Sequence, residues 1–304
     1  MIQRKMSLVL DKVSKRFGDF TAVDELSLEI PEGSICGFLG QNGAGKTTAI
    51  RMIMSILYPD EGRIEVLGES DALRVKDRLG YLPEEKGLYK KMKAAEILSY
   101  FGRLKGMKRH DAKDKSRSLL ERYGLKDFAD SRCEALSKGM GQKVQILAAL
   151  IHEPELVILD EPFSGLDPVN VEVVREIILD MKRDGRTVIF STHVMEQAEQ
   201  ICDSIMLIHH GKKILDGSLS EIKGGDSSGI RLDYDGDGEV LHSLKGVSRL
   251  NDAGKSAEIF LEDGVDPQSI LEALVGRIRI RRFDLREPSL HEIFVRAVGA
   301  DSNE

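Results

Sequence analysis

The stretch GQNGAGKT, Gly40 to Thr47, constrains the chain more than any other segment. It spaces a glycine, four residues and then Gly-Lys-Thr, and it lies between a compact apolar run, SICGFLG, and a helix-like run, KTTAIRMIMSIL. Glycines without a Cβ let successive backbone amides turn toward one anion, and a helix starting there adds the positive end of its dipole. The spacing therefore predicts a phosphate cradle between a strand and a helix, built by Gly40, Gln41, Asn42, Gly43, Ala44, Gly45, Lys46, Thr47 and Thr48. In such a cradle Lys46 reaches the β and γ phosphates and the Thr47 hydroxyl ligates Mg²⁺.

The surrounding pattern is α/β. Residues 7 to 30 alternate apolar and polar positions around a Gly-Asp turn, which predicts an antiparallel hairpin, and GRIEVLG adds a strand after the first helix. From about 91 to 151 the spacing turns helical, with Leu98, Phe101 and Leu104 read as one face and Leu119, Leu120 and Tyr123 as another. ELVILD and TVIFSTH then return as nearly continuous apolar runs, as expected for parallel strands covered on both faces. Gly and Ser concentrate in KGGDSSG, residues 223 to 229, where a linker is expected. Beyond it the order strand, helix, strand, strand, helix, strand and a last helix predicts a small α+β domain over 229–300, compatible with a split βαβ, ferredoxin-like arrangement. The large domain is expected over 7–222.

ELVILDEP ends an apolar strand in two carboxylates. At the carboxyl end of a parallel strand beside a phosphate loop, Asp160 is placed to hold Mg²⁺ through water, and Glu161 to orient and polarise an attacking water.

With these motifs in place LSKGMGQ, residues 136 to 142, resembles the LSGGQ signature of the ATP-binding cassette (ABC) family of transporter ATPases. Leu136, Ser137 and Gly139 match, while Lys138 and Met140 depart from the third and fifth positions. Ser137 is suited to cap the following helix. The resemblance covers residues 7 to about 225 and implies a P-loop NTPase (RecA-like) cassette with an antiparallel β subdomain and a helical subdomain at about 91–151. It further implies that Ser137, Lys138, Gly139 and Met140 serve the ATP held by the opposite subunit. SGLDP resembles the D-loop, with Ser164 and Asp167 at the dimer seam, and His193 resembles the switch histidine that contacts the γ-phosphate and the attacking water. Phe17 matches the aromatic residue that stacks on adenine; Phe20 is nearby, and a place in the core would equally account for either ring. Where the family usually has Gln touching Mg²⁺ and the membrane partner, this chain has Glu84, with Glu85 adjacent; a carboxylate can serve a hard cation through water. PEEKGLY, LSKG and the C-terminal REPSLHEIFVRAVG look like bacterial cassette subunits of drug and sodium extrusion systems.

The expected function is that of an ATP-hydrolysing subunit, catalysed by Glu161, His193 and Lys46 with ATP and Mg²⁺. It is expected to dimerise with itself or a sister cassette and to power a separate membrane permease, in export. The alternative is a soluble ABC ATPase of translation or DNA maintenance, but such relatives usually carry two cassettes or a long coiled coil. A regulator without turnover fits poorly with intact Lys46, Asp160, Glu161 and His193. No nucleic-acid partner is expected, since 44 Lys and Arg against 51 Asp and Glu give a net charge of −7. Charges interrupt every apolar run of the N-terminus and no stretch approaches the length of a membrane span, while Cys36, Cys133 and Cys202 follow no disulfide or metal spacing. The expected location is cytoplasmic, peripheral on the inner face of the membrane. DYDGDG, from Asp233, opens like a calcium loop but has Leu244 at the twelfth position, and the Arg277, Arg279 and Arg281 row reads as the outer face of a half-buried strand.

Overall fold

The computed structural model describes residues 5–84, 87–224, 229–262, 264–286 and 288–301. Along the chain run β1 (Met6–Phe17), β2 (Phe20–Pro31), β3 (Ile35–Leu39), α1 (Lys46–Ile53), β4 (Glu61–Val66), β5 (Leu79–Leu82), α2 (Ala94–Leu104), α3 (Arg109–Arg122) and α4 (Lys138–Leu150). They are followed by β6 (Leu156–Leu159), α5 (Pro168–Arg183), β7 (Thr187–Thr192), α6 (Met195–Ile201), β8 (Ser204–His209), β9 (Lys212–Ser218) and α7 (Leu219–Gly224). The last elements are β10 (Gly229–Asp235), α8 (Glu239–His242), β11 (Val247–Asp252), β12 (Ser256–Leu261), α9 (Pro267–Leu274), β13 (Arg279–Arg286) and α10 (Leu290–Asp301). The chain divides into two compact units, Met1–Gly217 and Ser218–Glu304. Residues 225–228 of the expected linker lie outside the described residues, as does Glu85.

In the first unit a six-stranded sheet of order β5-β6-β7-β3-β8-β9 carries the site, and β3 pairs in parallel with both β7 and β8. Every residue of β3, β6 and β7 is buried, which explains why these strands read as unbroken apolar runs. Side chains of β3 alternate between two cores. Cys36 and Phe38 join a cluster with Leu8, Leu10 and Leu26 of the β1–β2 hairpin and Ile50 and Ile53 of α1. On the opposite face a Cβ at Gly37 would stand 2.9 Å from Cys202 Sγ and 3.5 Å from Ala198 Cβ, so α6 packs close against the strand there. A separate sheet of order β2-β1-β4, antiparallel throughout, closes over the first core. All three cysteines are buried and free.

Two details of the expected helices change. The apolar run after Lys46 predicts a helix to Leu57, but α1 ends at Ile53 and Ser55 adopts φ 53°. The amides of Ile56 and Leu57 bond back to the Arg51 carbonyl at 2.9 and 3.1 Å, which folds Leu57 onto the core. In the helical part Leu98 is buried but Leu104 is 60% exposed. The buried row of α2 runs through Ala94, Leu98 and Gly102 at four-residue spacing, and Leu104, six residues beyond Leu98, lies well round the helix. Strands β8 and β9 go beyond those read from the sequence.

The second unit has a sheet of order β11-β12-β10-β13, antiparallel at each pairing. β10 and β11 flank β12 and are joined through α8, while β12 and β13 flank β10 and are joined through α9, which is the split βαβ connection. Ile230, Leu232, Tyr234, Ile259, Ile270 and Leu274 form its own core. Asp233 and Asp235 are strand residues here, with Asp235 held by Arg281 at 2.6 Å, and Ile278 and Ile280 pack on the core beneath the arginine row.

One half-buried group of the large unit makes the fold sensitive to pH. His152 Nε2 lies 2.9 Å from the Leu79 carbonyl, and burial pushes its pKa down to about 4. The unfolded ring takes its proton near pH 6.5, so the unfolded chain binds more protons between those values. Stability from this residue is therefore complete above pH 6.5 and is lost as the pH falls toward 4. His152→Gln, which keeps a donor for Leu79, is expected to show a smaller drop in urea midpoint between pH 7 and pH 5 than the parent. Equal drops in the two proteins would remove His152 from the account.

Candidate active site

Strand register assembles the site. β3, β7, β6 and β5 run parallel with Leu39 opposite Thr192, Phe190 opposite Leu159 and Leu159 opposite Leu82. The residues that follow each strand thus emerge along one edge of the sheet: Gly40 after β3, Asp160 and Glu161 after β6, His193 after β7 and Glu84 just beyond β5. The pairing also explains the first contact of the site. Asp160 and Ser191 each follow a paired residue, and Ser191 Oγ donates to Asp160 Oδ1 at 2.5 Å while accepting the Glu161 amide at 2.9 Å.

The loop from Gly40 to Gly45 passes directly into α1, whose first residue is Lys46. Gly45 has φ 110°, and a Cβ there would stand 2.5 Å from the Ala22 carbonyl oxygen, so no other residue fits without moving the hairpin. At Gly40 an added Cβ would collide with the Ile208 carbonyl. Gly211, in the β8–β9 turn, donates its amide to the Ala44 carbonyl at 2.9 Å and fixes the loop from a third side. The loop is thus set by backbone contacts to β2 and β8 and to the β8–β9 turn. Lys46 lies beneath it and donates from Nζ to the carbonyls of Gly40 at 2.7 Å and Gln41 at 3.2 Å.

Glu161 is buried between two nitrogen groups. Lys46 Nζ is 3.6 Å from its Oε1, and His193 Nδ1 is 3.2 and 3.1 Å from its two oxygens. A carboxylate can only accept, so Nδ1 carries the ring proton in this contact. Glu161 also has φ 49°, a left-handed conformation that costs a non-glycine residue about 1 kcal/mol or more. The strain is held by the Ser191 bond to its amide and by the packing of Phe163 edge-on to Phe190 at 5.7 Å.

Asp160 offers oxygen donors suited to a cation. Its Oδ1 lies 3.5 Å from the Thr47 hydroxyl, and its Oδ2 is buried with no hydrogen-bond partner among the described residues. An unpartnered carboxylate oxygen beside a hydroxyl is the donor set a hard divalent cation accepts, with water and phosphate completing its shell. The charge of Asp160 also acts on Tyr81 in β5, whose hydroxyl is pushed up to about 12 by burial first and by Asp160 second.

A cleft of about 400 Å³ is lined by Phe20, Asn42 to Thr48, Glu84 and Glu161. It brings Glu84 to the same opening as Lys46 and Thr47. Phe17 does not line it. The ring is 49% exposed and lies 5.7 Å from Lys15 Nζ, while Phe20, its partner across the hairpin, faces the cleft at 62% exposure. Neither ring belongs to the core, which removes packing as the reason for either.

Ser137, Lys138, Gly139 and Met140 lie elsewhere. Ser137 caps α4 by accepting the Met140 amide at 3.3 Å, as its sequence position predicts. Asp167 caps α5, accepting the Asn170 amide at 3.0 Å, and that bond is the main cause holding its carboxyl below the usual range. Gln142, on the same helix as the signature, donates to the Pro162 carbonyl at 2.9 Å and ties α4 to the carboxylate segment. Ser191, Gln142, Phe20 and Gly211 all serve the site beyond the residues the motifs single out. The signal for Ser191 is a hydroxyl ending an otherwise apolar strand; Gly211, 165 positions beyond Lys46, has no local signal at all.

A family profile described as ABC transporter matches residues 23–164, and one described as ATP-binding protein DrrA1-3-like, C-terminal domain, matches 217–298. The chain is 42% identical over 294 residues to the ABC transporter ATP-binding protein YhaQ of Bacillus subtilis, covering 96% of this chain and 99% of that one. It is 34% identical over 308 residues to the Nod factor export ATP-binding protein I of Sinorhizobium fredii, covering 98% and 88%. A solved structure of an ATP-binding subunit of an ABC transporter matches with a TM-score of 0.66 at 30% identity, over 71% of this chain and 92% of that one. The chain therefore belongs to the ABC transporter family, as one of its ATP-binding and ATP-hydrolysing proteins.

Proposed function

We propose that two cassettes, either two copies of this chain or this chain and a sister, close around two ATP molecules and drive a separate membrane permease in export. The observation that carries this reading is the separation within one chain of two complementary half-sites. Lys46, Thr47, Asp160, Glu161 and His193 converge at one sheet edge, whereas Ser137 to Met140 begin α4 and do not line that cleft. A second chain related by a two-fold axis supplies the missing half of each site. Ser164 and Asp167 are then seam residues. Export is supported by the likeness to a Nod factor export protein, and a permease by the likeness to ATP-binding subunits of ABC transporters.

The chemistry follows from the placement. The loop amides and Lys46 bind the β and γ phosphates, and the Thr47 hydroxyl with Asp160, and with Glu84 at the cleft mouth, would hold Mg²⁺, which when bound would supply neutralising charge for the phosphates. Glu161 accepts hydrogen bonds from the attacking water and orients it, with His193 fixing the carboxylate through Nδ1. Phe17, or Phe20 beside the cleft, supplies the ring for adenine.

Glu161→Gln is expected to retain ATP binding and slow hydrolysis about 100-fold or more, the size of a lost general base. Turnover within a few-fold of the parent would sink the role. Asp160→Asn is expected to raise the Mg²⁺ concentration needed for nucleotide binding, and Lys46→Ala to weaken binding itself.

Complementation tests the shared site. A Lys46→Ala chain and a Ser137→Arg chain are each expected to be nearly inactive. Mixed, they form a pair in which one site carries both lesions and the other carries neither. A single-turnover measurement on cross-linked mixed pairs is expected to show one hydrolysed ATP. Mixed pairs that bind ATP and yield no hydrolysis in a single turnover would rule out the composite arrangement.

A further inference from the structure

Lys138 stands where the family signature has glycine, and nothing in its own surroundings explains the charge. It is the first residue of α4, where the helix dipole presents its positive end, and no acidic residue occupies that first turn. A cation at a helix N-terminus is unfavourable against that dipole. Among the described residues the Lys138 side chain makes no hydrogen bond and no ion pair, whereas other cations on this part of the surface do, as in Arg122–Asp180 at 2.8 Å and Lys182–Asp203 at 2.6 Å.

What Lys138 does touch is the D-loop. Gly165 lies between Ser164 and Asp167 with φ 65°, and a Cβ placed on it would come within 2.8 Å of Lys138 Cε and closer still to Nζ. The lysine stem fills the space left by the missing side chain. Its neighbour makes the same kind of contact: a Cβ on Gly139 would stand 2.5 Å from Asn170 Cγ. Asn170 Nδ2 in turn donates to Asp167 Oδ2 at 2.6 Å. Signature and D-loop are therefore interlocked through two glycines, one on each side, and among the described residues the Lys138 ammonium enters that lock without an ion pair.

Resting on the composite-site reading, we infer that Lys138 is a positioning residue that holds the D-loop of its own chain and releases it when the terminal phosphate on the other cassette draws the ammonium away. The ammonium has three donors and lies against a backbone with no anion, whereas a phosphate arriving at the start of α4 meets Ser137, the first-turn amides and this cation together. Exchange of Gly165 for phosphate makes the D-loop respond to whether the partner's nucleotide still carries its third phosphate. The source of the signal is a change in partner for one side chain, with no covalent step.

The test uses the full chain carrying Glu161→Gln, in which ATP-driven pairing is measured by analytical ultracentrifugation over a series of ATP concentrations. Adding Lys138→Gln is expected to raise the ATP concentration for half-maximal pairing at least tenfold, while Lys138→Arg stays within about threefold of the parent, since it keeps the charge. Binding of a fluorescent ATP analogue at protein concentrations too low for pairing is expected to be the same in all three. In the nucleotide-free chains, hydrogen exchange of the amides at 164–167 is expected to quicken severalfold in Lys138→Gln and to change little in Lys138→Arg. Unchanged pairing in Lys138→Gln, or an equal loss in Lys138→Arg, overturns the contact with phosphate. Unchanged exchange at 164–167 overturns the hold on the D-loop. If the Glu161→Gln parent itself fails to pair with ATP, the composite site falls and this role falls with it, a result distinguishable because it appears before Lys138 is altered.

Discussion

Parallel pairing of β3, β7, β6 and β5 is the constraint on which the rest of the large unit depends. Because all four strands point the same way, the residues after each strand reach one edge, and residues far apart in sequence become neighbours by register alone. Asp160 meets Ser191 across 31 positions because Leu159 pairs with Phe190. A shift of that register would lose the hydroxyl that holds both Asp160 Oδ1 and the Glu161 amide. The strands can be held so firmly because both faces are covered: Phe38 and Phe190 are fully buried, each worth about 1.5–3 kcal/mol against exposure.

That rigidity is what makes the electrostatics of the site tolerable. Lys46 is 6% exposed and Glu161 is 8% exposed, and two buried charges are favourable only when geometry and hydrogen bonds offset lost hydration. Lys46 meets the condition with two carbonyls in addition to Glu161, and Glu161 meets it with His193. Asp160 does so only in part, since one of its oxygens is paired and the other is not. A buried carboxylate oxygen without a donor is costly in the protein alone and becomes favourable when a cation arrives. The strained φ of Glu161 belongs to the same logic, because it turns the side chain back toward Lys46 and His193 instead of along the strand.

Much of this was legible in the sequence, for reasons that differ by residue. The phosphate loop, Asp160 and Glu161 are recognisable because each is a local pattern: glycines before a helix, carboxylates after an apolar strand. Ser137 is recognisable as a cap for the same reason. Leu104 and the end of α1 were not, since helical spacing continues past the point where Ser55 takes a left-handed conformation and Gly102, a residue with no apolar side chain, occupies the buried row. Phe17 and Phe20 pair across one hairpin turn, and the resemblance singles out Phe17 whereas it is Phe20 that lines the cleft, since motif matching does not fix which ring of the turn points there. β8 and β9 escape because the charged and polar residues of HHGKK interrupt the pattern, and yet their turn is hydrogen-bonded to the loop at Ala44.

Glycines let separate segments approach one another closely at the site. Gly45 admits the Ala22 carbonyl, Gly40 admits the Ile208 carbonyl, Gly139 admits Asn170 and Gly165 admits Lys138. In each case the absent Cβ is the binding surface for a group from another segment, and at Gly40, Gly45 and Gly165 the positive φ adds a second reason against any other residue. Two of these contacts fix the phosphate loop by backbone, which a side-chain substitution elsewhere cannot loosen. The other two join signature to D-loop by side chains. The first pair thus builds a fixed cradle, whereas the second leaves the 138–139 and 164–170 segments joined by side-chain contact alone.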